Sequence, residues 1–189
     1  ISVPEFEGII LGLIKQRVLW PPEMSEDESQ PLCKSINHVV GMPSASFPLA
    51  ASGLTLVEGV APNCGDCKLA EWDSHPTRKG PWCQEQFVLA VLADLEGDGS
   101  MAPALLTYQR SGLKAAKQYL GGFARKRQPA FSVVTKFALT PNKRGSVAYA
   151  TPVISRLGET DTDMWEAYGE NYLAIRSFLQ TPRTDDAEE

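Results

Sequence analysis

"SGLKAAKQYLGGFARKR", Ser111 to Arg127, runs straight into "QPAFSVVTKFAL", Gln128 to Leu139. The first stretch repeats its apolar residues at helical spacing. Leu113, Ala116, Leu120 and Phe123 share one stripe, and Lys114 and Lys117 fall off it. Ser111 is in position to cap the helix. The second stretch drops to strand period, with Phe131, Val133, Thr135, Phe137 and Leu139 on one face. A helix handing over to a strand in this way leaves few folds open, and the flanking elements decide among them.

Upstream, "APALLTYQR" (Ala102–Arg110) reads as a short strand. The turn "GDGS" joins it to "EQFVLAVLADL", whose apolar run Phe87 to Leu92 has the length of a buried strand. Before that lies "EFEGIILGLIKQRVLWPP" (Glu5–Pro22), one long strand or a bent pair. Gly8 and Gly12 inside it mark a bulge or a close backbone approach, and Pro21-Pro22 ends it. Downstream, "TPNKRG" (Thr140–Gly145) reads as a hairpin loop and "SVAYATPVI" as the returning strand. "ETDTDMWEAYGENYLAIRSFLQ" (Glu159–Gln180) is an amphipathic helix that Thr160 or Thr162 can cap. Its stripe is Trp165, Tyr168, Tyr172, Ile175 and Leu179.

The order is strand, long insertion, two strands, helix, two strands, helix. A five-stranded Greek-key barrel with its helix between the third and fourth strands is an OB-fold. The expected class is therefore mainly β with α, an OB-fold-like five-stranded barrel with a long zinc-stapled insertion and a C-terminal helix. The expected divisions are a nucleic-acid-binding domain over 1–158 that includes an insertion at 32–84, a helix over 159–180, and a disordered acidic tail over 181–189. "EMSEDESQP" (Glu23–Pro31) adds a polar, acidic loop.

The net charge of −5 conceals a partition. From Met101 to Gly158 there is no Asp or Glu. The same stretch carries Arg110, Lys114, Lys117, Arg125, Lys126, Arg127, Lys136, Lys143, Arg144 and Arg156. Residues 1–100 carry −8 and residues 159–189 carry −7. A long cationic stretch between acidic flanks points to a surface for a polyanion. Rings stand beside these cations: Tyr108 near Arg110, Tyr149 after the "NKRG" loop, and Trp20 at the end of the strand bearing Lys15 and Arg17. Cations for phosphates and flat rings for bases are what sequence-tolerant single-strand binding requires.

Three of the four cysteines lie in "NCGDCKLAEWDSHPTRKGPWC", Asn63 to Cys83, and the fourth is Cys33. A C-x2-C pair can bring two thiolates to one ion from a tight turn, and a second pair completes a zinc tetrahedron at about 2.3 Å per sulfur. Cys33, Cys64, Cys67 and Cys83 are the candidate ligands of a structural Zn2+ that orders a segment lacking regular periodicity. The same four residues also suit an iron–sulfur cluster, and a redox C-x2-C is the third option. His38 and His75, the only histidines, could each replace a cysteine and read as ordinary loop residues.

Nothing in the chain assembles a catalytic set. The cationic stretch offers no general base, and the phosphate-cradling, serine-elbow and zinc-protease motifs are missing. A non-enzymatic protein is expected. No apolar run approaches the ~20 residues that span a bilayer. Starting at Ile1 rather than Met, the chain reads as one lacking a few N-terminal residues, and what is present shows no secretory pattern. Four cysteines without an export signal point to a reducing cytoplasm.

"LWPP", "PLCKS", "CGDC", "GPWC", "SGLKAAKQYL" and "FSVVTKFAL", taken in this order across 5–157, resemble a family of small phage and mobile-element proteins. More broadly the chain is similar to phage single-stranded-DNA-binding proteins of OB-fold type with an acidic C-terminal tail. The resemblance implies metal ligation by the four cysteines and a role in DNA replication or recombination. It implies nothing about individual DNA contacts. The tail "TDDAEE" could compete for an empty groove and reach partner proteins when DNA fills it. Two other readings stay open: a zinc-stabilised adaptor whose basic face docks on an acidic protein, and an iron–sulfur nucleic-acid-processing protein.

Overall fold

The computed structural model describes residues 5–23 and 30–180; most of the acidic loop and the C-terminal tail lie outside the described residues. In chain order the elements are β1 (Glu5–Leu19), β2 (Cys33–Ser35), β3 (Met42–Pro43), α1 (Leu49–Ser52), β4 (Cys83–Asp94), β5 (Ala102–Gln109), α2 (Ser111–Lys126), β6 (Val133–Arg144), β7 (Val147–Glu159) and α3 (Trp165–Gln180). Among the described residues strands hold 41% and helices 26%, which makes the class mixed α/β with a mostly antiparallel, open sheet. The hydrogen-bonded strand order is β3-β2-β1-β4-β5, with β6 pairing β1 and β7 pairing β6.

Two compact units share this chain. The first takes residues up to Leu13 together with Phe87–Leu179, and the second takes Ile14–Gln86. β1 and β4 contribute residues to both.

In the first unit, the apolar run of β4 does what its composition dictates. Phe87, Leu89, Val91 and Ala93 are buried on one face and Val88 and Ala90 on the other, so this strand is covered on both sides. β1 is likewise buried at Ile9, Ile10 and Leu11. Gly8 permits the close approach its sequence position suggests, since a Cβ there would lie 2.6 Å from the Leu92 carbonyl oxygen. β1 meets β6 antiparallel from Glu5↔Ala138 to Gly8↔Thr135. β6 and β7 pair from Val133↔Glu159 to Arg144↔Val147, with a register shift between Val134 and Thr135. Tyr108 of β5, Ala116 of α2 and Phe137 of β6 close the core.

Three local expectations give way to tertiary structure. The chain turns between β5 and α2 at Arg110, φ 51°, which occupies the cap position of α2 and leaves Ser111 as its first helical residue. Most of "TPNKRG" is strand rather than loop, and the hairpin turns only at Gly145-Ser146, where Gly145 takes φ 62°. Asp161, not Thr160 or Thr162, caps the turn before α3, its side chain accepting from the Asp163 N–H. Thr160 is instead buried, donating to the Phe131 carbonyl at 2.9 Å and accepting from the Trp165 indole at 3.0 Å. Phe131 sits between Trp165 and Tyr168, so the first two residues of the helix stripe pack through this ring; the side chain of Leu179 lies outside the described residues.

The second unit has far less regular structure. β2 pairs the end of β1 antiparallel, Arg17↔Ser35 to Leu19↔Cys33, and β3 pairs β2. Its core is Leu19, Leu69 and Cys83, flanked by Leu32, Phe47 and Trp82. The Trp82 indole N–H donates to the Trp20 carbonyl at 2.8 Å. Part of the order here comes from backbone pairing to β1, a contribution the aperiodic sequence gives no hint of.

Candidate functional site

Three local devices position the four cysteines in the second unit. Cys33 opens β2, opposite Leu19. Cys64 and Cys67 bracket a single turn of 3-10 helix, Cys64–Asp66. Asn63 caps that turn by accepting from the Gly65 N–H at 2.9 Å, and the Cys67 N–H returns to the Cys64 carbonyl at 3.4 Å. Two backbone bonds, Cys64 N–H to Val39 O (2.7 Å) and Gly41 N–H to Pro62 O (2.8 Å), tie this turn to the segment that follows β2. Cys83 is the first residue of β4. The outcome is convergence. All four cysteines line one cavity of about 20 Å³, together with Arg17, Leu19, Gly41, Phe47 and Leu69 among others. None of the four is in a disulfide.

Backbone donors reach two of the sulfurs. The Met42 N–H bonds to the Cys33 sulfur, and the Leu69 and Ala70 N–H groups bond to that of Cys67. Gly41 backs the site closely, because a Cβ there would stand 3.2 Å from Cys33 Sγ. Burial pushes the Cys33 thiol up to about 11, with Cys64 and Cys67 adding to the rise. Burial pushes Cys83 to about 12, opposed by Arg17 and reinforced by the other three cysteines. Cys67 is raised for the same first reason, with the backbone donors and Arg17 pulling it back. Burial therefore favours the neutral thiol at Cys33, Cys67 and Cys83, a preference that a bound divalent ion would invert. Among the described residues no group of three or more His, Cys, Asp or Glu is arranged so that it could hold a metal ion. The thiols are gathered around a cavity without being closed into a coordination sphere. The cavity lining includes neither histidine. His75 packs against Trp82, its Nδ1 accepting from the Thr77 N–H, and His38 Nε2 lies 3.8 Å from Glu85 Oε1.

The candidate nucleic-acid contacts divide between the units. Lys15, Arg17 and Trp20 belong to the second and the other eleven to the first. Lys15 is exposed, whereas half-buried Arg17 lines the cysteine cavity. Strand alternation puts Lys15, Arg17 and Leu19 on one face, so the sequence alone does not separate the two cations; the cysteine cavity beside Arg17 does. Trp20 is half-buried and held through its carbonyl by Trp82.

In the first unit Arg110, Lys114, Lys117, Arg125, Lys126, Arg127 and Lys143 are exposed, as is Tyr149 at 48%. Lys117 also lies 5.5 Å from the centroid of the Phe87 ring. Two residues do not fit their expected role. Tyr108 is only 6% exposed and packs in the core, where burial lifts its phenol to about 12, so no base can stack on it. Lys136 is paired with Glu5 at 2.8 Å and lines a cavity with Glu7, Asp94 and Glu96, an acidic neighbourhood that repels phosphate. The side chain of Arg144 lies outside the described residues. Arg156, exposed, pairs with Glu159 at 2.7 Å.

No family model, curated protein or solved structure matches the chain. No helix of the described residues is long and apolar enough to cross a membrane.

Proposed function

We propose that this is a non-catalytic, cytoplasmic single-stranded-DNA-binding protein with a structural zinc site, serving phage or mobile-element replication or recombination. One observation carries the reading. The carboxylate-free stretch builds β5, α2, β6 and β7 of the first unit, and most of its cations are exposed there. A surface of this kind attracts the phosphate chain by counterion release without reading sequence.

An OB-like barrel is the proposed scaffold. Its support is the first unit's strand order β5-β4-β1-β6-β7, with α2 between β5 and β6 in the chain. This is the connectivity of a Greek-key barrel left open between β5 and β7. The β6–β7 hairpin then corresponds to a loop such barrels use for binding, and it carries Lys143 and Tyr149.

Zinc is proposed at the cysteine cavity, with Cys33, Cys64, Cys67 and Cys83 as ligands and no open position for chemistry. Four thiolates around Zn2+ leave a net negative charge, which Arg17 and the N–H donors at Cys33 and Cys67 offset. Thiols outside any disulfide suit a reducing compartment. The acidic tail is proposed to reach replication or recombination proteins.

A second reading has its own observation. Leu105, Leu139, Val153 and Leu157 are exposed on β5, β6 and β7, and this favours an adaptor that docks on a protein. Titration of a labelled single-stranded oligonucleotide at graded salt separates the two. Length-dependent, sequence-tolerant, salt-sensitive binding is expected; no binding even at low salt rejects the DNA reading in favour of the adaptor.

A further inference from the structure

A cavity of about 180 Å³ opens in the first unit beside the C-terminal half of α2. Tyr119, Gly122, Phe123 and Lys126 line it from the helix, with Gln128 just past the helix end and Arg156 on β7. Its walls are fixed in place. The Tyr119 and Phe123 rings meet edge to face at 5.1 Å, and the Tyr119 hydroxyl shares a 2.8 Å hydrogen bond with the fully buried Thr135. The Gln128 amide donates to Ser132 Oγ at 2.8 Å. Arg156 stands near enough to Tyr119 for its charge to favour the phenolate, against the rise that burial imposes.

Gly121 and Gly122 lie in the interior of this helix, where glycine is unfavourable relative to alanine. Neither adopts a left-handed conformation. A Cβ built at either meets nothing within 4 Å. Neither packing nor backbone geometry calls for glycine at 122, yet the bare backbone there forms a wall of the cavity. Something outside the folded chain would use that space.

We propose that this cavity is a nucleotide subsite. One base of a bound single strand enters it and lies against the Gly122 backbone and the Phe123 ring, and the flanking phosphates rest on Lys126 and Arg156. Two features select a base over a free anion. The C-terminal end of a helix is the negative end of its dipole, which opposes an anion inside the cavity. Rings and an uncharged amide suit a flat polar ligand, whereas the cations suit phosphates at its rim. Arg156 keeps its bond to Glu159 and has further N–H donors for a phosphate. This assignment rests on the single-strand reading above and locates one contact of it.

The test uses the full metal-loaded chain and fluorescence anisotropy with two strands of equal length, an oligothymidylate and an abasic strand. Gly122→Leu fills the cavity with a residue that favours helix, so its melting temperature should stay level or rise. Its affinity for oligothymidylate should fall ~10-fold, the scale of one lost stacked base, while affinity for the abasic strand stays within about twofold. Phe123→Leu should narrow the preference for the base-bearing strand in the same direction. The subsite is refuted if Gly122→Leu binds oligothymidylate like the unaltered protein, if it loses both strands equally, or if inorganic phosphate at low millimolar concentration displaces the strand. If the unaltered protein binds neither strand, the DNA reading itself fails and takes the subsite with it.

Discussion

The first unit buries Ile10, Leu89, Val91, Ala93, Ala116 and Val133 at 2% exposure or less, drawn from three strands and a helix. The second unit buries Leu19 and Leu69 that deeply, and its other residues with so little exposure are the serines Ser35 and Ser52. It also leaves Val39, Val57, Val60 and Trp72 more than half exposed. Ordering a residue costs about 1–2 kcal/mol in backbone entropy, and a buried aliphatic side chain returns only about 1.5–3 kcal/mol. The first unit sets a continuous apolar core against that cost. The second has too few buried side chains for its length, and its four cysteines are where the missing stabilisation is to be sought.

The largest effect should therefore follow from removing metal. Elemental analysis should find close to one zinc per chain, and a strong chelator under reducing conditions should strip it. Amides of 32–83 should then lose hydrogen-exchange protection, and emission from Trp20 and Trp82 should shift to the red. The β6–β7 amides should stay protected. Cys64→Ser should reproduce the pattern without chelator, since zinc binding and folding are one event in such sites. A metal-free preparation that keeps the second unit protected would break the comparison, because burial would then be shown to suffice.

The reverse experiment acts on the other unit. Leu89, fully buried in β4, should cost about 2–5 kcal/mol when truncated to alanine. Denaturant midpoints should fall while bound zinc stays at one per chain. If Leu89→Ala instead releases the metal, the two units are not stabilised by separate means.

The same contrast explains how much was legible in the sequence. β4 announces itself as an unbroken apolar run because both its faces are buried, α2 announces itself by the period that one buried face imposes, and the order of strands and helices follows. The hairpin turn is misjudged because Thr140, Pro141 and Asn142 are turn formers in isolation. Paired with Thr151, Ala150 and Tyr149 they extend the strand instead, and Pro141 is tolerated because the β1–β6 ladder runs only from Thr135 to Ala138. Tyr108 stands two residues from Arg110, which on a continuing strand would share its face. The backbone reverses at Arg110, so the ring goes into the core and the charge does not. In the second unit the C-x2-C turn is visible in the sequence. The roles of Arg17, Gly41 and the Val39–Pro62 region are not, since they depend on long-range pairing that leaves no period.

Cation substitutions sharpen the contrast further, because in the first unit the residues proposed to touch DNA are not those that hold the fold. Arg125→Gln and Lys143→Gln should each leave the melting curve nearly unchanged. Each should lower the slope of log affinity against log salt by about 0.7, the value for one phosphate contact on a single strand. An unchanged slope removes that residue from the binding surface.

The smallest effect is expected at Arg127, and it separates the two kinds of residue most sharply. Arg127 follows α2 in the left-handed conformation, φ 53°, where its N–H returns to Ala124 and that of Gln128 to Phe123. Glycine is the usual occupant of this position because it has no Cβ to strain. Arg127→Gly relieves that strain, but glycine also gives the unfolded chain more freedom, so the net gain should be about 1 kcal/mol or less. Binding should nevertheless weaken, with the salt slope falling by about 0.7. Stability that rises while affinity falls would mean the arginine is kept for its charge, against the local preference of the backbone. In the second unit no such division is available, because there the cysteines proposed to bind the ligand are also the residues proposed to hold the fold. A fall in melting temperature for Arg127→Gly would show that its side chain secures the helix end, and Arg127 would then leave the proposed DNA surface.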